Sequence, residues 1–275
     1  MQVIERQRYW EGSVSNDSKP EQSEQKNIDL YEIDARYYDK IHEFWDSDLN
    51  FWVPFAKEIS GELLEIGGGT GRITVRLTLE GHTVTSVEPS QSMRAIAKKK
   101  LLERNLKARF IEGKLPSAPL PTEKYSATLL PADVFLYCNS KQEQELTLAK
   151  IYNSLTYDGL VALDLPGPAL GLTPEKNGES IMAFETENPK DHLLKVQHIC
   201  YDDVIRKTRK LTIQYETSTG NEESTHELLY VSLEEMRVLL EITGFEISNI
   251  YGDYSLESYT PTSERMIIVA KKRAN

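Results

Sequence analysis

Apolar positions along the chain fall into two alternating rhythms. ELLEIG (62–67), HTVTSVE (82–88), KARFIEG (107–113), YSATLLP (125–131) and LVALDLP (160–166) are short apolar runs of strand length bounded by turn residues. Between them the spacing changes to three and four. Ser90 reads as the N-cap of a helix with Met93, Ile96, Ala97 and Leu101 on one face, and residues 142–155 align Leu148, Ile151, Tyr152 and Leu155 before an Asp158-Gly159 turn. Farther on, Ser232 and Glu235 form a capping-box pattern ahead of Met236, Leu239 and Leu240, with Gly244 as the stop. FEISNIYG (245–252) and RMIIVAKK (265–272) follow as strands. Strand and helix signals in alternation predict an α/β fold with a mostly parallel sheet covered on both faces. One segment conflicts: Ile73, Val75, Leu77 and Leu79 are spaced as in a strand. A helix from Arg72 to Glu80 is nonetheless expected, because another parallel strand there would need a crossover for which the chain leaves no room.

Two regions break the alternation. Residues 11–29 are nearly all polar, so 1–29 reads as a mobile arm, followed by an amphipathic helix with Leu30, Ile33, Tyr37, Ile41 and Phe44 on its apolar stripe. Residues 193–231 alternate without helical spacing and contain a Gly220-Asn221 turn, which predicts an antiparallel β insert lying over the main domain as a substrate lid. The organisation is then an arm (1–29), a core with its cap helix (30–192), the insert (193–231) and the end of the core (232–275). The cluster of Phe51 and Trp52 after Asp48 reads as core or lid packing, with substrate stacking as the alternative.

A chain of 275 residues needs no staples. Cys138 and Cys200 match no metal-ligand spacing and are expected as reduced thiols. The N-terminus lacks a signal-peptide core, and no apolar run approaches the roughly 18 residues of a membrane span, so a cytoplasmic protein is expected. With 32 Lys+Arg against 43 Asp+Glu, the net charge of -11 disfavours nucleic acid as a partner. The KKK run at 98–100 fits a solvated helix face. Whether the chain forms a homodimer is left open.

The glycine-rich stretch LLEIGGGTGRI (63–73) follows the first strand. Its glycines, 67, 68, 69 and 71, miss the third position of a dinucleotide fingerprint, and Gly71-Arg72-Ile73 lacks the Lys-Ser/Thr of a P-loop. What remains is Glu65-x-Gly67-x-Gly69-x-Gly71, with Glu88 closing the second strand seventeen residues later. A carboxylate beside the loop repels phosphate and suits a cationic ligand, and a second at a strand end can accept both hydroxyls of a ribose.

On these residues, together with Glu88-Pro89-Ser90-x-x-Met93 and the strand order, residues 31–272 resemble a class I S-adenosylmethionine (SAM) dependent methyltransferase, most closely the branch acting on glycine or sarcosine, amino sugars and natural products. The resemblance implies a Rossmann-like, doubly wound, seven-stranded sheet with an antiparallel last strand, and a cap helix whose Tyr38-Asp39 pair covers the cofactor. It implies that Glu65, Gly67, Gly68, Gly69 and Gly71 hold the methionine part, Glu88 the ribose hydroxyls and Met93 the adenine face, with Arg72 and Pro89 also among the cofactor-binding residues. Where relatives place Gly-Asp for the adenine amine, this chain has Gly113-Lys114-Leu115, so backbone around Lys114 and Leu115 is expected to take that role. Pro131 and Ala132 are expected beside the cofactor, at the carboxyl edge of the sheet.

The same segment holds Asp133 and Tyr137. Asp133 is expected to orient or deprotonate an amine, with helix N-capping as the plain alternative. Tyr137 and Tyr38 are expected to line the methyl-transfer pocket, and His198 is the histidine candidate for a base. Asp164 lacks an Asp-Asn partner, so no metal is expected. The function so implied is methyl transfer to a small-molecule amine. O-methylation is the near alternative; a non-catalytic SAM-binding protein or a nicotinamide-dependent oxidoreductase are the distant ones.

Overall fold

The computed structural model describes residues 29–186 and 194–273. The expected arm therefore lies, Asp29 excepted, outside the described residues. The cap region contains α1 (Glu32–Ile41) and α2 (Leu49–Lys57). The core then runs β1 (Leu63–Ile66), α3 (Arg72–Leu79), β2 (Val84–Glu88), α4 (Gln91–Glu103), β3 (Arg109–Glu112), β4 (Tyr125–Leu130), α5 (Lys141–Ser154) and β5 (Leu155–Pro166). A second sheet of β6 (Ser180–Glu185), β7 (Leu194–Asp203), β8 (Thr208–Thr217) and β9 (Gly220–Leu229) follows, before α6 (Leu233–Ile242), β10 (Phe245–Tyr251) and β11 (Arg265–Lys272) return to the core.

The core sheet has seven strands in the order β10-β11-β5-β4-β1-β2-β3, in which β11 alone runs antiparallel to its neighbours. The order reverses at β1, whose partners β2 and β4 lie on either side. A crevice outside the carboxyl ends of the strands opens at such a reversal. Alternate side chains serve opposite faces: Leu63 joins Trp52, Ile73 and Leu77 under α2 and α3, while Leu64 joins Leu148, Ile151, Met236 and Leu240 under α5 and α6. The segment with strand-like spacing is the helix α3, with Ile73 and Leu77, four apart, both buried.

Local signals are realised where chemistry fixes them. Ser90 accepts from Met93 N, and Ser232 with Glu235 forms a complete capping box. Two expectations need correction. The cap helix starts at Glu32, and Leu30 and Phe44 are 75% and 85% exposed; the stripe actually used is Ile33, Tyr37 and Ile41, which packs on Leu194, Val196 and Tyr215 of the second sheet. The packing expected of Phe51 and Trp52 holds: both sit on α2 and are buried in the core. The second sheet begins at β6, upstream of residue 193, and its β8–β9 hairpin turns on Ser218 and Thr219, so Gly220 and Asn221 open β9 instead of forming the turn.

Candidate active site

The crevice at the sheet's carboxyl edge is a cleft of about 930 Å³ including its open mouth, within the usual range of small-molecule sites. Its lining includes Gly67, Gly69, Glu88, Pro89 and Met93 from the ends of β1 and β2 and the segments that follow them, Lys114 and Leu115 after β3, Pro131, Ala132 and Tyr137 after β4, and Tyr38 from the cap helix. These are eleven of the residues expected from the sequence.

The glycine loop divides its work. Gly67 (φ 70°) passes so close to Val134 that any Cβ would collide with that side chain, and this contact seats the loop against the segment after β4. At Gly69 (φ 54°) a Cβ would meet no side chain, only Gly67 O at 4.0 Å, so the bare backbone leaves cleft space for a ligand. Gly68 and Gly71 face inward, against Ser86 and Ala97, and serve packing.

Glu88, 5% exposed, accepts from Gly69 N and Ser90 N, each at 2.9 Å. Burial raises its pKa, against these two backbone bonds and Arg94. Each oxygen retains a lone pair toward the cleft, the arrangement a ribose diol requires. The donor set and the bare loop thus fit the nucleoside half of SAM, and the apolar Met93 and Leu115 fit its base.

Four expected site residues point elsewhere. Glu65 is buried beneath the loop, accepts from the Thr74 hydroxyl and is pushed up to about 7 by burial; it does not line the cleft. Arg72 forms a two-pronged ion pair with Asp48, both contacts at 2.6 Å, and lies under the Trp45 ring, joining α3 to the cap. His198, half-buried in β7, does not line the cleft; burial and the neighbouring His42 lower its pKa. Asp133 is also off the cleft lining. It caps nothing: its backbone is left-handed (φ 61°) and its carboxylate pairs with Arg265 at 2.6 Å. Asp164, fully buried, receives the same guanidinium, Tyr254 OH at 2.9 Å and Ala132 N at 3.1 Å. This network clamps the Ala132-Asp133 turn, whose two positive φ values are costly for residues with a Cβ.

Tyr38 and Asp39, adjacent on a helix, diverge by about a quarter turn. Tyr38 reaches the cleft, whereas Asp39 accepts from Thr70 and Lys100, each at 2.6 Å, and locks the cap onto the loop. The structure adds residues that sequence reasoning missed. Tyr31 lines the cleft beside Tyr137, with burial raising its pKa to about 12. Behind both stands His226 of β9, stacked on Tyr31 at 5.5 Å and edge-on to Tyr137 at 5.8 Å. Its Nε2 lies 3.1 Å from Asp34, which also accepts from Tyr215 and Ser224 at 2.6 Å. Burial pushes Asp34 up, but these donors outweigh it and hold the carboxyl below its ordinary range. Cap helix, second sheet and core meet at this cluster. The 31-x-x-34 spacing of Tyr and Asp on one helix face was the only signal within the sequence; the partners lie about two hundred positions away.

A family profile described as a methyltransferase domain matches residues 63–159, the stretch from the first strand into β5, whose continuous run takes in Asp158 and Gly159 where a turn was expected. A protein of Geobacillus sp. (strain WCH70) named as a putative methyltransferase is 26% identical over 88% of this chain and 99% of its own length. Among solved structures, an S-adenosylmethionine-dependent methyltransferase from Clostridium acetobutylicum ATCC 824 superposes with a TM-score of 0.75 at 16% identity, covering 89% of this chain and 99% of that one. The sugar N-methyltransferase KedS8 of Streptoalloteichus sp ATCC 53650 gives 0.69 at 16% identity, covering 98% and 100%. Strand order, glycine loop, Glu88 and these likenesses agree: the chain belongs to the class I SAM-dependent methyltransferases and uses SAM as its cofactor.

Proposed function

We propose that this enzyme methylates an amine nitrogen of a small molecule. The observation that carries the choice of nitrogen is the composition of the cleft: among the described residues lining it, Glu88 is the only carboxylate and there is no imidazole. Glu88 is tethered by two backbone amides at the ribose position. A hydroxyl acceptor ordinarily needs a general base at the transfer point, whereas an amine can shed its proton to solvent on the way in.

SAM supplies a methyl group already activated by sulfonium charge. The chain's own residues therefore have to bind, align and exclude water, an effect worth up to about 7–11 kcal/mol in well-oriented reactions. Glu88 and the Gly67–Gly69 backbone hold the nucleoside end. Tyr38 and Tyr137 border the transfer end, and burial raises both phenols, so they stay neutral and can donate hydrogen bonds to the acceptor. Arg265 neutralises Asp133, which makes Asp133 a support of the turn and not a base. The cap helix, fastened by Asp39 and Asp34, holds Tyr38 at the cleft.

A small acceptor is supported by the net negative charge, by the size of the cleft, and by the resemblance in fold to a sugar N-methyltransferase. The test is incubation of the purified chain with SAM and panels of small amines, alcohols and phenols, following S-adenosylhomocysteine and product mass. Turnover concentrated among amines is expected; turnover confined to alcohols or phenols would refute the nitrogen assignment.

A further inference from the structure

Apart from Glu88, the described residues lining the cleft include no carboxylate. Lys114 stands where an acidic residue was implied for the adenine amine, and its ammonium is drawn away to Glu143 of α5 at 3.1 Å. The lining also includes Cys138 and Thr147, with the apolar Leu115, Leu130 and Phe135.

Thr147 is 2% exposed, and its hydroxyl has one neighbour, the Cys138 thiol, at 3.7 Å. A thiol is a weak partner, and a buried hydroxyl in an apolar wall ordinarily has a firm one. A helical threonine most simply uses the carbonyl four residues back. Thr78 and Thr243 do so, at 2.7 and 2.6 Å. Thr147 makes no such bond and faces the cleft instead.

We infer that Thr147 is the side chain that recognises the 6-amino group of the cofactor's adenine, in the role that Lys114 cannot fill. The inference rests on the cofactor site assigned above. An exocyclic amine donates; a hydroxyl accepts, whereas an ammonium only donates. The hydroxyl's position fits the assignment, since Glu88 at the ribose and Thr147 lie on the lining of one continuous cleft with Met93 and Leu115 between apolar walls.

The test is calorimetric titration of the full-length protein with S-adenosylhomocysteine and with its analogue lacking the 6-amino group. The wild type is expected to prefer the amino compound by roughly three- to tenfold, the range of a single neutral hydrogen bond. Thr147→Val, which keeps the shape without the hydroxyl, should bind the two compounds equally, and Thr147→Ser should restore the preference. Equal binding by the wild type overturns the inference whether or not the variants fold, as does a Thr147→Val protein that keeps the preference. No heat from the wild type with either compound would instead strike the cofactor site itself, and the inference with it.

Discussion

Replacing Glu65 by glutamine should stabilise the protein above neutral pH and have little effect in mild acid. Glu65 is 2% exposed under the glycine loop, with the Thr74 hydroxyl as its partner. Burial raises its pKa from 4.5 to about 7; Thr74 and Arg72 oppose the rise, while Glu88 and Asp48 add to it. The unfolded chain loses this proton near 4.5 and the folded protein near 7. Between those values each pH unit of increase removes about 1.4 kcal/mol of stability, because the unfolded state alone is ionised. The cost is absent below 4.5 and complete above 7, where it amounts to about 3 kcal/mol as an upper bound. Glutamine has the same shape, accepts the Thr74 hydroxyl and carries no charge. Urea unfolding of both proteins at pH 5, 6, 7 and 8 should show a gap that widens with pH to about 2–3 kcal/mol. The comparison cancels other titrating groups, including Asp164, which burial raises to about 6. A gap that stays constant with pH, or a glutamine variant less stable at pH 8, would refute the reasoning.

Other perturbations address the site. Glu88→Ala should weaken S-adenosylhomocysteine binding by roughly a hundredfold or more, since hydrogen bonds to a charged group are worth about 1.5–3 kcal/mol each; calorimetry showing a change below threefold would remove the ribose assignment. Arg265→Gln leaves buried Asp164 without its cation and should cost about 3–5 kcal/mol at pH 8. That deficit should shrink toward pH 5 as Asp164 takes up a proton, and a pH-independent loss under 1 kcal/mol would contradict the network. Asp34→Asn should cost about 1.5–3 kcal/mol near neutral pH and loosen the strands of the second sheet to protease. Because Asp34 titrates below its ordinary 3.8, the contribution should persist above that value and vanish as pH falls through the lowered one; unchanged proteolysis would dismiss the latch.

Sequence reading succeeded where the physics is local. Seven strands, the capping residues Ser90 and Ser232, and the pairing of a glycine loop with Glu88 are all written in short windows. It failed where partners are remote or a pattern carries no burial signal. Asp34 meets Tyr215 and Ser224 across 181 and 190 residues, so nothing near Asp34 marks it as the fastening of the second sheet. β6 is an edge strand with Ile181 and Met182 both about half exposed, and without an inner and outer face it shows no decisive alternation. Glu65 and Asp133 were assigned from residue type and position alone; side-chain direction sends one under the loop and the other into an ion pair. Thr147 resembled an ordinary helical threonine until its missing back-bond was seen in three dimensions.

The most direct test of the central claim is calorimetric titration of the purified chain with SAM, S-adenosylhomocysteine and NADH. The geometry of Glu88 and the glycine loop requires saturable binding of the first two and none of the third; silence toward SAM together with binding of NADH would contradict it.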